Sequence, residues 1–469
     1  MDFQSLILKN FKFTPTASQL VLFGELGKFM ADDDEKSVFL LNGYAGTGKT
    51  TFLSGFLKTI PSYSFTACLL APTGRAAKVM ANTLNRKAQT IHRKIYTQVE
   101  DTYNGNMAFE RQKNIAENTI FVVDEASMIS DSREFGRNGL LQDLMDFVFN
   151  GMGNKLILIG DNAQLPPVGT YLSPALDLKH LQNRYSAKVF TCTLTDVMRQ
   201  EAESGILINA TWLRQELGKE KPVITLRTNQ FSDIFKMTGE KIEDGIRYAY
   251  DKYGRENTVI ITRSNKNAVA YNSMIRNRIN YSENELENND LLMVVKNNYG
   301  ILPDDSEAGF IANGEFAVVK RIGREEEMHG FRFQNVTLKL QDYPDEPEFE
   351  TLIILDTLYS ASPNLTSDQN KALYDSVLQD YAWVKSKKEQ KKLMKADKYL
   401  QALQVKFAYA LTCHKTQGGQ WPIVFIDALY LPDNIIDQET VRWLYTAITR
   451  GMKEVYFINF QSFMFENPV

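Results

Sequence analysis

Cysteine is scarce in the sequence, and long apolar runs are missing from it. The three cysteines, Cys68, Cys192 and Cys413, lie far apart, which excludes a disulfide framework or a CxxC metal site and favours a reducing compartment. Apolar runs such as residues 156–159 are far shorter than the roughly 18 residues of a membrane helix, and the amino terminus lacks the features of a signal peptide. We therefore expect a soluble cytoplasmic protein that makes no membrane contact.

An excess of positive charge is also missing. The 469 residues include 53 Lys and Arg against 57 Asp and Glu, which gives a formal net charge of −4. Bulk charge therefore does not indicate a nucleic-acid partner, but it is compatible with a local basic groove, because binding follows the distribution of charge. With 43% hydrophobic and 23% charged residues the composition excludes a disordered or collagen-like chain, and the length predicts about three domains.

Short apolar runs recur along the chain, and each ends abruptly in small or polar residues. Runs without alternation are typical of parallel strands that helices cover on both faces, so the core is predicted to be α/β. The predicted strands are 38–41, 68–71, 120–123, 156–159, 259–261, 407–411, 423–426 and 455–458. Helical patterns lie between them, for example at 51–60 and 201–217.

A short segment, residues 95–115, interrupts the first half of this series. It carries Asn104-Gly105 between strand-prone residues, which is a strong signal for a β-hairpin. We expect Tyr103, Met107 and Phe109 near its tip. Taken alone, the hairpin is consistent with a surface element whose aromatic rings pack back on the domain.

A longer segment, residues 271–403, interrupts the second half. In its first part, at 316–319, 331–340 and 349–355, apolar and polar residues alternate as they do in β-strands. This pattern predicts a small antiparallel barrel. From residue 367 onward it lacks Gly and Pro and is predicted to be helical. Lysines recur there at helical spacing. Two interpretations of these lysines stay open, a solvated helix face and a contact with DNA. They are Lys387, Lys388, Lys391, Lys392, Lys395 and Lys398.

A phosphate-binding motif follows the first predicted strand. The residues Gly43-Tyr44-Ala45-Gly46-Thr47-Gly48-Lys49-Thr50 satisfy G-x-x-x-x-G-K-[ST] between a strand and a helical run, the context that the motif requires. Backbone N–H groups of such a loop surround the phosphates, Lys49 reaches the β and γ phosphates, and Thr50 offers a hydroxyl to Mg²⁺. The nucleotide-binding residues are predicted to be Gly43, Ala45, Gly46, Thr47, Gly48, Lys49, Thr50 and Thr51.

Polar residues at the ends of two further strands complete the predicted site. Asp124 and Glu125 follow the strand at 120–123, where Asp124 is suited to hold Mg²⁺ and Glu125 to act as general base toward water. Gln164 follows the strand at 156–159 and is suited to bind the γ-phosphate or the attacking water. The ends of parallel strands meet at one edge of a sheet, so these loops are expected to converge.

Further motifs occur in a fixed order around these loops. They are Gln19, residues 71–77 (APTGRAA), 90–92 (TIH), 194–199 (LTDVMR), 262–265 (TRSN), 412–418 (TCHKTQG) and 445–450 (YTAITR). In this order the chain resembles, over nearly its whole length, the superfamily 1 DNA helicases of the RecD-like and Dda-like group. A lone phosphate loop would be unspecific, whereas this ordered series is highly specific.

The resemblance implies a fold and a division into domains. It implies two RecA-like motor domains, an inserted β-hairpin pin, and an inserted SH3-like barrel with a helical extension. Because the sequence begins only a short way before Gln19, we expect neither the extra amino-terminal region of the longer RecD-like enzymes nor a nuclease domain. The expected boundaries are 1–92 with 117–193 for the first motor domain, 93–116 for the pin, 194–270 with 404–469 for the second motor domain, and 271–403 for the barrel and helices.

The resemblance also implies roles for single residues. Gln19 would recognise adenine, and Arg199 and Arg450 of the second motor domain would reach the γ-phosphate across the cleft. Such arginines reach the nucleotide only when the two domains close. They would couple hydrolysis to domain motion, because positioned positive charge catalyses phosphoryl transfer. Phe109, at the pin, would stack on the last base pair. The DNA-contacting residues would be Pro72, Thr73, His92, Phe109, Thr262, Asn265, Thr412, His414, Lys415 and Gln417.

We therefore expect an ATP- and Mg²⁺-dependent DNA helicase that translocates 5′ to 3′ on single-stranded DNA and unwinds duplex DNA in replication, recombination or repair. The expected partners are single-stranded DNA and single-strand/duplex junctions, with replication or single-strand-binding proteins as further candidates, and we expect a monomer. Two alternatives stay open. One is a translocase that removes bound proteins without efficient unwinding, and the other is a small-molecule kinase or nucleotide switch.

Overall fold

The chain forms two α/β domains, with a hairpin inserted in the first and a barrel inserted in the second. The computed structural model describes residues 2–100, 107–132, 138–197, 203–303, 306, 308–428, 431 and 435–466, and for 98–100 and 107–109 the backbone alone. None of the helices in these ranges combines the length and apolar character that a bilayer crossing needs.

The strands and helices are numbered in chain order. The strands are β1 (Ser37–Gly43), β2 (Thr66–Ala71), β3 (Ala88–Thr90), β4 (Tyr96–Glu100), β5 (Met107–Arg111), β6 (Thr119–Val123), β7 (Lys155–Gly160), β8 (Lys188–Leu194), β9 (Ile234–Met237), β10 (Thr258–Thr262), β11 (Leu291–Val294), β12 (Phe316–Met328), β13 (Phe331–Leu340), β14 (Phe349–Ile354), β15 (Leu403–Phe407), β16 (Ala410–Thr412), β17 (Trp421–Ile426) and β18 (Gly451–Ile458). The helices are α1 (Phe3–Asn10), α2 (Ala17–Met30), α3 (Lys49–Thr59), α4 (Gly74–Leu84), α5 (Ile91–Ile95), α6 (Leu140–Phe149), α7 (Leu178–Tyr185), α8 (Gly205–Glu216), α9 (Ile242–Tyr253), α10 (Asn265–Met274), α11 (Ser367–Asp380), α12 (Lys387–Lys395), α13 (Cys413–Thr416) and α14 (Gln438–Ile448).

The first domain is built on a parallel sheet with the order β3-β2-β6-β7-β1-β8. One apolar cluster lies between this sheet and α1, α2 and α3, and it includes the buried Phe23 and Phe52. A second cluster lies on the opposite face beneath α6 and α7, and it includes Leu144 and Leu181. Both faces of the sheet are covered, which explains why the strands carry apolar runs without alternation.

The second domain is built on a parallel sheet with the order β16-β10-β17-β18-β9. Its apolar cluster continues without interruption into the barrel, since it joins Ile260 and Phe425 of the sheet to Val405 and Leu338 of the barrel strands. The second domain and the barrel therefore share one core, whereas the first domain has cores of its own.

The predicted hairpin and barrel are both present. Strands β4 and β5 form an antiparallel ribbon, and the predicted tip with Tyr103 lies outside the described residues. Strands β11 to β15 close into a five-stranded barrel, as expected for an SH3-like insertion, and α11 and α12 extend from it. The pairing of β14 with β15 is parallel, so the barrel is not wholly antiparallel as predicted.

One predicted strand, residues 407–411, is wrong in its extent, because it joins residues of two different strands. The barrel strand β15 ends at Phe407, and β16 of the second domain begins at Ala410. The expected boundary at residue 404 therefore falls inside a barrel strand. The physical reason is that residues 403–411 are buried throughout, so hydrophobicity does not show where the chain passes from one sheet to the other.

A buried ion pair holds the root of the barrel. The guanidinium of Arg276, just after α10, donates to Asp290 through Nε at 3.2 Å and Nη2 at 3.0 Å, and the two residues are 1% and 3% exposed. The hydroxyl of Tyr409 donates to the same carboxylate at 2.8 Å, and the ring of Phe407 packs on the guanidinium. Because these charges are out of water, each depends on its partner.

Arg276→Met is expected to lower the free energy of unfolding by about 3–5 kcal/mol, because it leaves the Asp290 carboxylate buried without its cation. Urea denaturation measures this change. Arg278→Met is the matched control, since Arg278 is an exposed arginine that pairs with Glu243 at 2.8 Å, and an exposed pair contributes less than about 1 kcal/mol. Equal effects of the two substitutions would contradict the structural importance of the buried pair.

Candidate functional site

The phosphate loop joins the end of β1 to the start of α3, as the sequence predicts. Gly46 and Gly48 have φ angles of 72° and 80°, a region open to glycine, and they turn the chain back on itself. The Lys49 ammonium lies within this turn and donates to the carbonyl oxygens of Gly43 at 2.5 Å and Tyr44 at 3.1 Å. A glycine-turned loop with an ammonium at its centre has the features that bind phosphates.

Two carboxyl groups lie beside this loop, that of the buried Asp161 and that of the half-buried Asp124. Asp124 follows β6 and Asp161 follows β7, the strands next in order to β1 in the sheet. Burial and the charge of Glu125 raise the pKa of Asp124 to about 6, and the Lys49 charge opposes this rise. Burial also raises the pKa of Asp161, and the Lys49 charge opposes this rise as well. Negative charge exceeds positive charge here, a balance that suits a divalent cation.

Thr50 and Asp124 are the residues that fit Mg²⁺. Thr50 lies in the first turn of α3 and is exposed, and Thr51 follows it in the same turn. Hydroxyl and carboxylate oxygens are suitable Mg²⁺ ligands, and Mg²⁺ completes its octahedron with water and substrate phosphates. These side chains therefore suit a cation bound together with a nucleotide.

Two glutamines lie against the loop. Gln19 is fully buried, accepts the N–H of Thr16 at 3.0 Å and donates to the Thr47 carbonyl oxygen at 3.2 Å, so it ties α2 to the phosphate loop. Gln164 follows β7, and its buried Oε1 lacks a hydrogen-bond partner among the described residues. Since an unpaired buried acceptor is costly, Gln164 is suited to bind a donor such as water at this site.

Helix α14 of the second domain contacts the loops after β1 and β7. Its residues Arg442, Tyr445 and Thr446 lie on one face because they are three and four positions apart. The hydrogen bonds run from Arg442 Nη1 to the Asn162 carbonyl oxygen, from Tyr445 Oη to Asp161 Oδ2 at 2.6 Å, from Ala45 N to Tyr445 Oη at 3.0 Å and from Leu165 N to Thr446 Oγ1 at 2.8 Å. The predicted site is thus shared between two domains.

The arginines expected at the γ-phosphate are placed differently. Arg199 lies outside the described residues. Arg450 is buried, and its guanidinium donates to the carbonyl oxygens of Thr446 and Gly419 and to the Thr449 hydroxyl, all within the second domain. The assignment of Arg450 to the γ-phosphate therefore stays a prediction.

The residues expected to contact DNA follow strands at corresponding ends of the two sheets. Pro72 and Thr73 follow β2, and His92 follows β3, the neighbouring edge strand. In the second domain, Thr262 and Asn265 lie at the end of β10, and the remaining residues lie at the end of its neighbour β16. These are Thr412, His414, Lys415 and Gln417. For Phe109, on β5, only the backbone is described.

The side chains of this set differ in availability. Thr262 is fully buried and donates to the Ser264 carbonyl oxygen, and Gln417 is 8% exposed and donates to the Leu165 carbonyl oxygen at 2.6 Å, so both are used inside the protein. Burial lowers the pKa of His92 to about 4, which leaves a neutral imidazole. Thr412 precedes α13 without a side-chain capping bond and is partly exposed.

Two family models match the chain. The model of the AAA domain matches residues 30–225, and the model of the UvrD-like helicase C-terminal domain matches residues 407–458. The ATP-dependent DNA helicase Dda of Enterobacteria phage T4 is 31% identical over 173 residues, which cover 36% of this chain and 36% of that protein. The ATP-dependent RecD2 DNA helicase of Deinococcus radiodurans is 31% identical over 168 residues, which cover 36% of this chain and 20% of that enzyme.

The chain is thus similar to the RecD-like and Dda-like superfamily 1 helicases. A longer match joins it to protein MJ1519 of Methanocaldococcus jannaschii, with 26% identity over 90% of this chain. The chain spans 36% of the length of MJ1519, so it is much shorter than that relative.

Sequence reasoning assigned no role to several residues that the structure brings to the cleft. Asp161, Arg442 and Tyr445 lie in or near motifs, but their contacts join positions about 280 residues apart, as the separation of 284 between Tyr445 and Asp161 shows. Arg214, near the end of α8, lies with its guanidinium carbon 4.2 Å from the ring centroid of Tyr44 in the phosphate loop. No local sequence pattern indicates such long-range pairs.

The affinity of the chain for single-stranded DNA is expected to fall by about tenfold as the pH rises from 7 to 9.5, which corresponds to the loss of about one hydrogen bond to a charged group. The reason is that burial lowers the pKa of Lys415 to about 8, so its positive charge is present below this pH and lost above it. Fluorescence anisotropy with a labelled oligonucleotide measures the affinity.

Lys415→Arg is the control, because arginine keeps its charge over the whole range. Its affinity for DNA is expected to depend only weakly on pH. Parallel pH profiles for the wild type and this variant would show that DNA does not use the charge of Lys415.

Proposed function

We propose that the chain is an ATP-dependent DNA helicase that translocates 5′ to 3′ on single-stranded DNA and unwinds duplex DNA. The observation that carries this proposal is the sharing of the nucleotide site, in which α14 of the second domain is hydrogen-bonded to the loops after β1 and β7 of the first. A site that is complete only when two domains close converts hydrolysis into relative motion. The polarity rests on the family alone.

The residues of the first domain supply the chemistry of hydrolysis. The phosphate loop and Lys49 bind the phosphates, and Glu125, next to Asp124, accepts a proton from the attacking water. Thr50 and Asp124 would hold Mg²⁺, which when bound would supply positive charge to the phosphates. Gln164 orients the water through its unpaired Oε1.

The remaining parts of the proposal concern DNA. The backbone of one DNA strand contacts two sets of residues, one in each domain. The set in the second domain is Lys415, His414 and Thr412 at the end of β16, and the first domain supplies Thr73 after β2. Closure of the cleft therefore alters the distance between the two sets. Single-stranded DNA and its junctions with duplex are the substrates. Both halves of the nucleotide site come from one chain, which supports a monomeric motor.

The proposal is tested with one duplex that carries either a 5′ or a 3′ single-stranded tail. Strand separation and ATP hydrolysis are recorded in the same reaction. Separation of the 5′-tailed substrate alone is expected. Hydrolysis that both tails stimulate without any separation would indicate a translocase that removes proteins, and hydrolysis indifferent to DNA would indicate a kinase or a nucleotide switch.

Lys49→Ala is expected to reduce DNA-stimulated hydrolysis at least about 100-fold and to abolish unwinding, because it removes the cation that faces the phosphates. Binding of single-stranded DNA without nucleotide should persist. Lys58→Ala, at an exposed lysine of the same helix α3, is the control and should hydrolyse ATP at the wild-type rate. Unwinding by Lys49→Ala at the wild-type rate would contradict the proposed mechanism.

Phe109→Ala is expected to slow unwinding several-fold while DNA-stimulated hydrolysis survives, because a base stacks on an aromatic ring with about 1–3 kcal/mol. Glu110→Ala, at the next residue of β5 and exposed, is the control. A stopped-flow unwinding assay and a hydrolysis assay on the same preparations separate the two activities. Equal unwinding rates for both variants would show that the ring of Phe109 has no part in strand separation.

A further inference from the structure

One hydroxyl group joins the loop after β1 to the loop after β7. The Tyr445 hydroxyl on α14 accepts the N–H of Ala45 at 3.0 Å and donates to Asp161 Oδ2 at 2.6 Å. Tyr445 and Asp161 are each 1% exposed, so water does not replace these bonds. A phenol can accept from an amide and donate to a carboxylate at once, whereas a phenylalanine would leave both groups unpaired.

A second contact holds the neighbouring residue of the phosphate loop. The guanidinium of Arg214, on α8 of the second domain, lies over the ring of Tyr44 at 4.2 Å. Tyr44 and Ala45 directly follow Gly43, the first glycine of the motif. The second domain therefore holds two consecutive residues of the phosphate loop, one through its ring and the other through its amide.

The carboxylate that Tyr445 binds belongs to the electrostatic environment of the nucleotide site. The charges of Lys49 and Glu125 both act on Asp161. Its other oxygen, Oδ1, accepts the N–H of Ala163 at 2.9 Å, within the loop that continues to Gln164. A movement of Tyr445 thus displaces Asp161 and this loop together with the amide of Ala45.

Tyr445 is also connected to the proposed DNA-binding surface. Helix α13, which carries His414 and Lys415, packs on α14, and the thiol of Cys413 donates to the carbonyl oxygen of Trp443 at 3.5 Å. Trp443 is two residues before Tyr445 on the same helix. A shift of α13 on binding DNA therefore passes to α14 through a direct contact.

We propose that Tyr445 is a positioning residue for ATP hydrolysis, whose hydroxyl holds the phosphate loop and Asp161 in place only while the two domains are closed. It couples binding of DNA by the second domain to hydrolysis in the first. This inference rests on the proposed helicase function, because it requires hydrolysis that DNA stimulates.

Tyr445→Phe tests the proposal, because it removes the hydroxyl and keeps the ring. At saturating single-stranded DNA, kcat is expected to fall about three- to tenfold, the value of one net hydrogen bond, while KM for ATP changes less than about twofold. Hydrolysis without DNA should fall less, so the ratio of stimulated to basal hydrolysis also falls.

Tyr409→Phe is the matched control. The Tyr409 hydroxyl donates to buried Asp290 at 2.8 Å and accepts the N–H of Leu291 at 3.2 Å, the same pattern of bonds at the root of the barrel. Both variants should lower Tm by a similar amount, and only Tyr445→Phe should lower the stimulation ratio. A wild-type ratio in Tyr445→Phe would overturn the positioning role and leave a structural one.

Arg214→Gln supplies an independent readout should Tyr445→Phe fail to fold, because Arg214 is only partly buried. It releases Tyr44 and is expected to lower the stimulation ratio with KM for ATP unchanged. An unchanged ratio in this variant would overturn the coupling through the phosphate loop. Hydrolysis by the wild type that DNA does not stimulate would overturn the proposed helicase function itself, which keeps the two failures distinct.

Discussion

The contact between α14 and the loops after β1 and β7 is the constraint on which the rest of the site depends. Ala163 and Leu165, which belong to the first domain, are buried in the apolar cluster of the second domain, so the hydrogen bonds to α14 form in a place without water. In such surroundings an unpaired amide or carboxylate is costly, and the contact is either complete or broken. The proposed motor requires such a contact to form and to break as a unit.

A second junction joins the barrel to the first domain close to the proposed DNA track. The guanidinium of Arg75, on α4, lies 4.0 Å from the ring centroid of Trp421 in the second domain and 4.7 Å from that of Phe316 in the barrel. Glu315 lies against the start of α4, where a Cβ at Gly74 would collide with its carboxyl group, and burial raises its pKa to about 8. Three units of the fold thus meet directly after Thr73.

Much of the architecture is readable from local sequence, because covered parallel strands need continuous apolar runs and the phosphate loop needs its glycines. The barrel strand β13 has the predicted bounds 331–340. Its partner β12 extends to Met328, nine residues beyond the prediction, because its outer half is polar and exposed and only pairing with β13 makes it a strand. The passage from β15 to β16 was not predicted for the opposite reason, since every residue from 403 to 411 is buried.

The candidate site divides in the same way. Lys49, Asp124 and Gln164 follow strands whose ends meet in any parallel sheet, so their proximity could be predicted from topology. The pairing of Tyr445 with Asp161 spans 284 residues and depends on how two domains dock, which no periodicity encodes. Thr262 had the expected position at a strand end, but its hydroxyl is used inside the protein, and burial of a single side chain is decided by packing.

The shared core of the second domain and barrel links the two junctions. One apolar cluster runs from Phe425 of the sheet to Leu338 of the barrel, whereas the first domain has separate clusters of its own. Close-packed cores do not deform continuously, so the barrel follows the second domain when the cleft opens. The contact of α14 with the phosphate loop and the contact of Arg75 with Trp421 and Phe316 therefore lie between the same two bodies. A movement of the two bodies that a change of nucleotide causes therefore also alters the contacts of Arg75 beside Thr73, where one strand of DNA would be held.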